Sequence, residues 1–434
     1  MNRIFSLFLF FLIFNGCSFN KNSKFWTTSK EIKDETSINY KEVFIYEDVI
    51  KKELNTNLQI KLKSKTSNNT SINNHLNNHG RLNLNGILKK SKRYKFSKID
   101  NFDQYQPEIS FFKNNVIFFD NKGSILQFDK NSKLIWKKNY YSKSEKNLEP
   151  ILQFANNENF LIVADNIAKY YLLDIKTGDL IWSNNNLAPF NSQIKIDKDK
   201  FFIIDFSNTL RCFSIEDGKE LWNIKTENSF IRSQKKLSMV IVDEKIYFNN
   251  SIGDISAVDI TSGELLWQLP TQSSLIYESA FSLKTSDIIS DKKSLFFSNN
   301  KNSIFSIDII TGRINWQNKI NSSLRSSIID NYVISISHEG FLFFTDKKTG
   351  NVIRVTDIFK NFNQKKRSKM KPTGFVVGTN EIYVSTNIGK LLVVDILLGK
   401  TKAVLKIDNE KISKPFVQNK VLFLIKDNAI IKLN

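Results

Sequence analysis

From residue 85 onward the chain breaks into short apolar runs separated by turn residues, and one turn-and-Trp unit recurs among them. It reads Asp174-Ile-Lys-Thr-Gly178-Asp-Leu-Ile-Trp182, Asp259-Ile-Thr-Ser-Gly263-Glu-Leu-Leu-Trp267 and Asp308-Ile-Ile-Thr-Gly312-Arg-Ile-Asn-Trp316. Ser214 to Trp222 keeps Gly218 and loses the Asp. Asp346 to Arg354 and Asp395 to Ala403 lose the Trp, and Asp129 to Trp136 is one residue shorter and lacks the Gly. The Trp position therefore falls at 136, 182, 222, 267, 316, 354 and 403, with steps of 38 to 49 residues. A period in the forties filled with short strands is the signature of a propeller, four strands to a blade.

The fourth unit shows how a blade is written. Lys245 to Phe248 predicts a strand, Asn249 to Gly253 a turn, Asp254 to Val258 a second strand, and Glu264 to Leu269 a third; the apolar stretch leading into the unit supplies the fourth. Gly after Thr or Ser supplies the positive φ of a tight hairpin, and the Asp four residues earlier accepts hydrogen bonds from the turn's N–H groups. Trp136, Trp182, Trp222, Trp267 and Trp316 then lie on outermost strands, where a large amphipathic ring is core packing against the next blade rather than a ligand platform. After the seventh unit, Lys420 to Leu424 and Ala429 to Leu433 make two more strands, with no turn-and-Trp strand to complete the blade. An open ring would expose an unpaired edge, so a strand within Gly80 to Ser97 is expected to close it. The expectation is an all-β, eight-bladed propeller of four-stranded blades over residues 85–434, closed by an N-terminal strand.

The N-terminus follows a different pattern. Ile4 to Phe14 is an apolar run broken only by Ser6, preceded by Arg3 and ended at Asn15-Gly16-Cys17. It is too short to span a bilayer and fits a signal peptide, residues 1–16. Gly16-Cys17 at the end of such a core resembles the bacterial lipobox, which makes Cys17 the expected lipidation site; an ordinary cleaved signal is the alternative. By the same resemblance, Ser18 in place of Asp implies sorting to the outer membrane. Residues 17–84 read as a low-complexity tether: Lys65 to Asn78 is an Asn/Ser/Thr tract expected to bury nothing, and His75 and His79 within or beside it are expected to be solvated. Lys41 to Leu54 interrupts it with helix-like apolar spacing suited to docking on the body or on a partner. Trp26 has no assigned role.

Composition narrows the chemistry. The 434 residues are 41% hydrophobic and 12% aromatic, too apolar for a disordered chain, and the net charge is +20. Three His and two Cys exclude a His- or Cys-rich metal site, an iron–sulfur cluster and a disulfide scaffold.

The Asp-x-x-Thr-Gly-x-x-x-Trp unit, with no Trp-Asp dipeptide and no Gly-His pair, resembles the quinoprotein-type propeller repeat rather than the WD40 repeat. The lipoprotein signal, eight blades and the ending Lys420-Val-Leu-Phe-Leu-Ile-Lys-Asp-Asn-Ala-Ile-Ile resemble, within that superfamily, the BamB family of outer-membrane lipoproteins; the long Asn-rich tether departs from it. The resemblance implies a non-catalytic scaffold of the β-barrel assembly machinery on the periplasmic side of the outer membrane. It would bind BamA and other assembly components, and nascent outer-membrane protein strands, as a monomeric propeller within a complex that engages no nucleic acid. The enzyme alternative, an exported pyrroloquinoline-quinone dehydrogenase or other ligand-binding propeller, would by its own resemblance need adjacent cysteines and a calcium site. Cys212 stands alone between Arg211 and Phe213 and reads as a core residue; His338-Glu339 falls at a hairpin turn and is not assigned catalysis, so no catalytic, cofactor or metal residue is expected.

Two connections stand out. Phe230, Ile231 and Arg232 follow the third blade, where the resemblance implies an apolar-then-Arg segment that grips BamA; the assisting acidic residues of the next connection have only Glu278 and Asp287 to match them. Between the sixth and seventh blades, Lys360 to Lys371 carries Lys365, Lys366, Arg367 and Lys369 around Phe362 and Met370. This basic loop is either a contact for lipid phosphates or an acidic protein surface, or simply solvated.

Overall fold

The computed structural model describes residues 49–70, 75–100, 102, 107–226, 235–271 and 283–434. The chain divides into two units, Met1–Glu47 and Asp48–Asn434, and only the second contains described residues. That unit is an eight-bladed β-propeller, each blade a four-stranded antiparallel sheet. Seven blades follow one another along the chain, spanning 110–138, 152–185, 195–225, 239–269, 289–318, 327–357 and 372–406. The eighth has strands Phe416–Gln418, Val421–Lys426 and Ala429–Leu433, and its outer strand is Lys90–Lys95, with Arg93 opposite Ile431 and Tyr94 opposite Ile430. The closing strand thus lies inside the expected window.

The repeat unit builds a blade edge and an interblade joint together. In the fourth blade the strands are Met239–Val242, Lys245–Asn249, Ile255–Asp259 and Leu265–Leu269. The Oδ1 atom of Asp259 accepts the N–H groups of Thr261 (2.9 Å) and Ser262 (2.8 Å), and Gly263 adopts a φ of 77°. A Cβ on Gly263 would stand 2.7 Å from the Trp222 ring, so this glycine provides both the left-handed turn and the seat for the preceding blade's Trp. Gly178, Gly218, Gly312 and Gly350 seat Trp136, Trp182, Trp267 and Trp316 in the same way. Beside each ring the ladder slips: Ala257 faces Trp267 but Val258 faces Leu265, a bulge that strengthens the outer strand's twist and leaves Leu266 exposed. Apolar wedges between neighbouring blades form the core, with Phe202, Met239 and Phe248 in one and Val240, Tyr247 and Phe297 in the next.

At the sixth blade the Trp position holds Arg354, which is fully buried. Trp182 and Trp316 donate their indole N–H to the carbonyls of Ile215 (2.8 Å) and Lys347 (3.0 Å), each one residue past the start of the next blade's turn. Arg354 reaches the equivalent carbonyl, Ile396 (2.8 Å), and also those of Leu397 (2.6 Å) and Leu58 (3.0 Å), with its guanidinium 4.6 Å from the Phe344 ring centre.

Two sequence expectations fail in the segment before the ring. Over residues 49–54 the helix-like spacing forms no helix; Lys41 to Glu47 and Asp48 lie outside the described residues. Ile50 and Leu54 instead join different blades: the Ile50 N–H donates to Lys319 O (3.2 Å), and Leu54 exchanges two 3.0 Å backbone bonds with Val355. Backbone partners on the blades outcompete the i to i−4 ladder that a helix would need. Nor is the Asn tract fully solvated. Thr70 is buried on Val417, and Asn77 is 4% exposed. Ile60 and Leu62 pack between blades six and seven, and Leu82, Leu84 and Leu88 between seven and eight. Small polar side chains are retained here because the inner strand ends offer backbone carbonyls and N–H groups to pair with.

Strand alternation gives the ring two faces. The connections between blades and the turns from second to third strand lie on one face, and the other turns lie opposite. Residues 75–82 run along the opposite face, bonding to Ile196, Ile241, Ser290, Ile328 and Val377 near the ends of five innermost strands.

Candidate functional site

Most innermost strands carry a charged side chain at their entry. Glu108, Asp287, Arg325 and Lys414 each stand two residues before the strand, Lys236 stands three before, Lys371 directly before, and Lys195 opens its strand. Because these strands converge on the channel, residues some forty positions apart in sequence meet at one mouth, on the connection face.

There they form an ionic network. Glu108 pairs with Lys236 (3.0 Å) and Lys414, Lys414 reaches Asp287 (3.3 Å), and Asp287 lies 3.8 Å from Arg325. Burial would raise the carboxyls of Glu108 and Asp287, but Lys236 and Lys414 beside the first, and Lys414 and Arg325 beside the second, hold both well below the usual carboxylate range. The cations bear the opposite cost. Burial pushes Lys195 down to about 7 and Lys235 down to about 8, even with Glu108 or Asp287 nearby. The floor is the N-terminal segment: Asn77 donates to the carbonyls of Met239 and Ile288 (both 2.9 Å) and accepts from Lys195 Nζ (2.6 Å). His79, enclosed near Arg325 and Lys414, is kept neutral chiefly by burial, and its Nδ1 has no hydrogen-bond partner among the described residues.

Above this network opens a recess of about 340 Å³ between the entries of blades four to eight. Six cationic side chains line it, Lys235, Lys284, Arg325, Lys371, Lys411 and Lys414, against one carboxylate, Asp287. His338 joins them from the sixth blade's turn, its Nε2 3.1 Å from Ser323 Oγ. A Ser–His contact invites a nucleophilic reading, which the surroundings oppose. Burial pushes His338 down to about 4, so the imidazolium that base catalysis must form is strongly disfavoured, and among the described residues no group orients Nδ1. A calcium ion fits no better: a dication would meet this excess of ammonium groups, and no group of three His, Cys, Asp or Glu that could hold a metal exists among the described residues.

The remaining residues singled out from sequence are dispersed. Cys17, Trp26, Phe230, Ile231, Arg232 and Glu278 lie outside the described residues. Asp287 belongs to the ionic network. Cys212 is buried, its thiol pushed up to about 12 by burial. In the basic loop, a four-residue helix Gln364–Arg367 is capped by Asn363; Lys365, Lys366 and Lys369 are exposed, whereas Arg367 pairs with Asp357 (2.6 Å) and Met370 is buried. The channel-mouth charges carry no motif, and only aligning the blades on their innermost strands would have raised them from the sequence.

No curated protein matches the sequence. Among solved structures, BamB from Moraxella catarrhalis superposes with a TM-score of 0.65 at 15% identity, covering 80% of this chain and 100% of that one. The computationally designed Ika8 protein gives 0.59 at 16% identity, covering 78% and 99%. Quinohemoprotein alcohol dehydrogenase from Comamonas testosteroni gives 0.58 at 10% identity, covering 81% and 78%. At such identities these likenesses establish the propeller fold alone. Residues 121–356, more than half the chain, match the family described as outer membrane protein assembly factor BamB, and the chain belongs to that family.

Proposed function

We propose that this protein is a non-catalytic scaffold of the β-barrel assembly machinery, anchored to the periplasmic side of the outer membrane by a lipid on Cys17 and holding BamA through its connection face. Family membership across residues 121–356 carries the reading. The geometry supports it by supplying rigid roots for two connections. Lys236, just after the connection that contains Phe230, Ile231 and Arg232, is tied to Glu108, and Asp287, closing the next connection, is tied to Lys414. Pinned roots lower the entropy lost when such segments engage a partner. Among the described residues, the quinone-enzyme reading finds neither a suitable cation site nor a competent base at the channel mouth.

Affinity copurification from gently solubilised outer membranes tests the proposal. BamA and its companions should be recovered with the wild-type chain. The double change Ile231→Ala, Arg232→Ala should leave the melting temperature unaltered while weakening BamA binding by about 2 kcal/mol, roughly thirtyfold. Recovery of a periplasmic redox partner in place of BamA would overturn it.

A further inference from the structure

We infer that the connection between the sixth and seventh blades, Lys360 to Lys371, is a contact for anionic lipid headgroups and holds this rim of the connection face against the bilayer to which the chain is tethered. The inference rests on the lipid anchor proposed at Cys17. It is separate from the hold on BamA, which falls to the connections after the third and fourth blades.

The connection is built to hold lysines outward. Its apolar side chains turn in: Met370 is buried, and Phe362 meets the buried Phe359 edge-on at 6.2 Å. Arg367 ties the short helix Gln364–Arg367 to Asp357 (2.6 Å) and lies 5.7 Å from the Phe341 ring centre. Asn387 fastens the far end, donating to Lys369 O (3.0 Å) and accepting from the Lys371 N–H (2.7 Å). Lys365, Lys366 and Lys369 are left outside, all exposed and none in an ion pair with a described residue. The carboxylates beside the loop are already engaged, Asp357 by Arg367 and Glu53 by Lys360 (2.9 Å). Fixing the backbone beneath the three lysines lowers the entropy lost when they meet a charged surface.

Position selects the partner. The chain that leads back to Cys17 enters the ring at the base of this loop: the Ile50 N–H donates to Lys319 O (3.2 Å), Glu53 accepts the Asp357 N–H (3.2 Å) and pairs with Lys360, and Leu54 pairs with Val355. Asp357 ends the sixth blade's outer strand, which runs to the connection face. A lipid on Cys17 therefore draws the ring toward the bilayer by this rim, beside the three lysines. Their ammonium groups are point charges that accept phosphate oxygens from many directions, as laterally mobile headgroups present them, and the attraction acts within a Debye length of the surface. An acidic protein surface would satisfy the same charge, but nothing would then link it to the entry of the tether. The connections proposed to hold BamA lie two and three blades away around the ring, so the two contacts are compatible.

Vesicle cosedimentation tests the contact. The mature chain from Ser18 keeps every described residue and lacks both the signal and the lipid, so any binding it shows comes from the protein surface. It should bind vesicles of phosphatidylglycerol mixed with phosphatidylethanolamine, more weakly as salt rises, and should leave vesicles of phosphatidylethanolamine and phosphatidylcholine in suspension. The triple change Lys365→Gln, Lys366→Gln, Lys369→Gln should weaken binding about tenfold or more at an unaltered melting temperature, and Arg at the same three positions should retain it. Lys133→Gln, Lys176→Gln, Lys348→Gln removes the same charge from the opposite face and should change binding by less than about twofold. Equal weakening by the two Gln triples would overturn the inference by showing diffuse surface charge, and equal binding to the neutral vesicles would overturn it by removing the headgroup charge. A loop triple that lowers BamA recovery while vesicle binding persists would assign an acidic protein surface instead. Failure here leaves recovery of BamA by the wild-type chain unaltered, and the anchor itself is read separately by fractionating Cys17→Ser, so the three readings fail independently.

Discussion

Arg354 offers the sharpest test of how the ring is held together, because it stands where four other blades of the ring present a Trp to a glycine seat and a fifth does the same. In Arg354→Met the apolar stem survives and three carbonyls lose a donor. Leu397 O still accepts the N–H of Ile60 (3.0 Å) and Leu58 is exposed, so Ile396 O is the one left dry. At about 1–3 kcal/mol for an orphaned group, the loss is about 2 kcal/mol. Relief of the buried guanidinium, which burial pushes down to about 10, offsets part of that loss. The expected net destabilisation is about 1 kcal/mol, read as the shift in urea midpoint multiplied by the slope of the transition.

The decisive comparison is Arg354→Trp. An indole N–H at this position reaches Ile396 O just as Trp182 reaches Ile215 O, and its ring replaces the stack on Phe344. It cannot reach Leu58. The Trp variant should therefore be about 1 kcal/mol more stable than the Met variant, while amide exchange at Ile60 accelerates in both because the strap over Leu58 is released. A Met variant within 0.5 kcal/mol of wild type (a margin well below about 1 kcal/mol per lost bond), or a Trp variant weaker than Met, would refute the equivalence of the two side chains.

Three further outcomes are expected. Asn77→Ala leaves the carbonyls of Met239 and Ile288 without their side-chain donor and removes the acceptor of Lys195, and should cost about 2–4 kcal/mol in urea unfolding; an unchanged midpoint would mean that residues 75–82 are not part of the cooperative fold. Burial raises the Asp165 carboxyl to about 6 despite hydrogen bonds from Tyr141 and the N–H groups of Lys169 and Ile167, so its contribution to stability is complete below pH about 4 and fades as pH rises through 6. Wild type should thus lose up to about 3 kcal/mol relative to Asp165→Asn between pH 4 and 7, and identical pH profiles would contradict this. Cys17→Ser should move the protein from the membrane fraction to the soluble fraction; retention at the membrane with unaltered mobility would refute the lipid anchor.

The ring was legible because its information is local and repeated. Asp259, Ser262 and Gly263 specify a hairpin through bonds and dihedrals confined to five residues, and the same chemistry returns at Asp174, Asp308 and Asp346. Closure was legible from the missing outer strand, since only a strand from elsewhere could pair Ala429–Leu433. Arg354 was visible as a departure from the repeat, but not as its substitute, because its equivalence to Trp rests on a carbonyl one blade away. The segment 75–82 was misread for a related reason. Its side chains are paired by backbone atoms of five blades, and no periodicity within the segment reports partners 121 to 298 residues distant.

That misreading bears on what the channel is for. A propeller whose first segment merely tethered it would leave the channel open at both faces. Here the inner strand ends on one face are engaged by His75 to Leu82, and the entries on the other face concentrate cations, so the openings differ in both access and charge. Lys195 links them: it donates to Asn77 on one side and lies in the field of Glu108, Arg325 and Asp287 on the other. Docking of the N-terminal segment therefore supplies a polar acceptor for a buried ammonium that would otherwise add to the repulsion at the mouth. By that link, and through its bonds to Ser238 and Ile288 at the strand entries, a change at Asn77 should be felt at the connection face as well as in the stability of the ring.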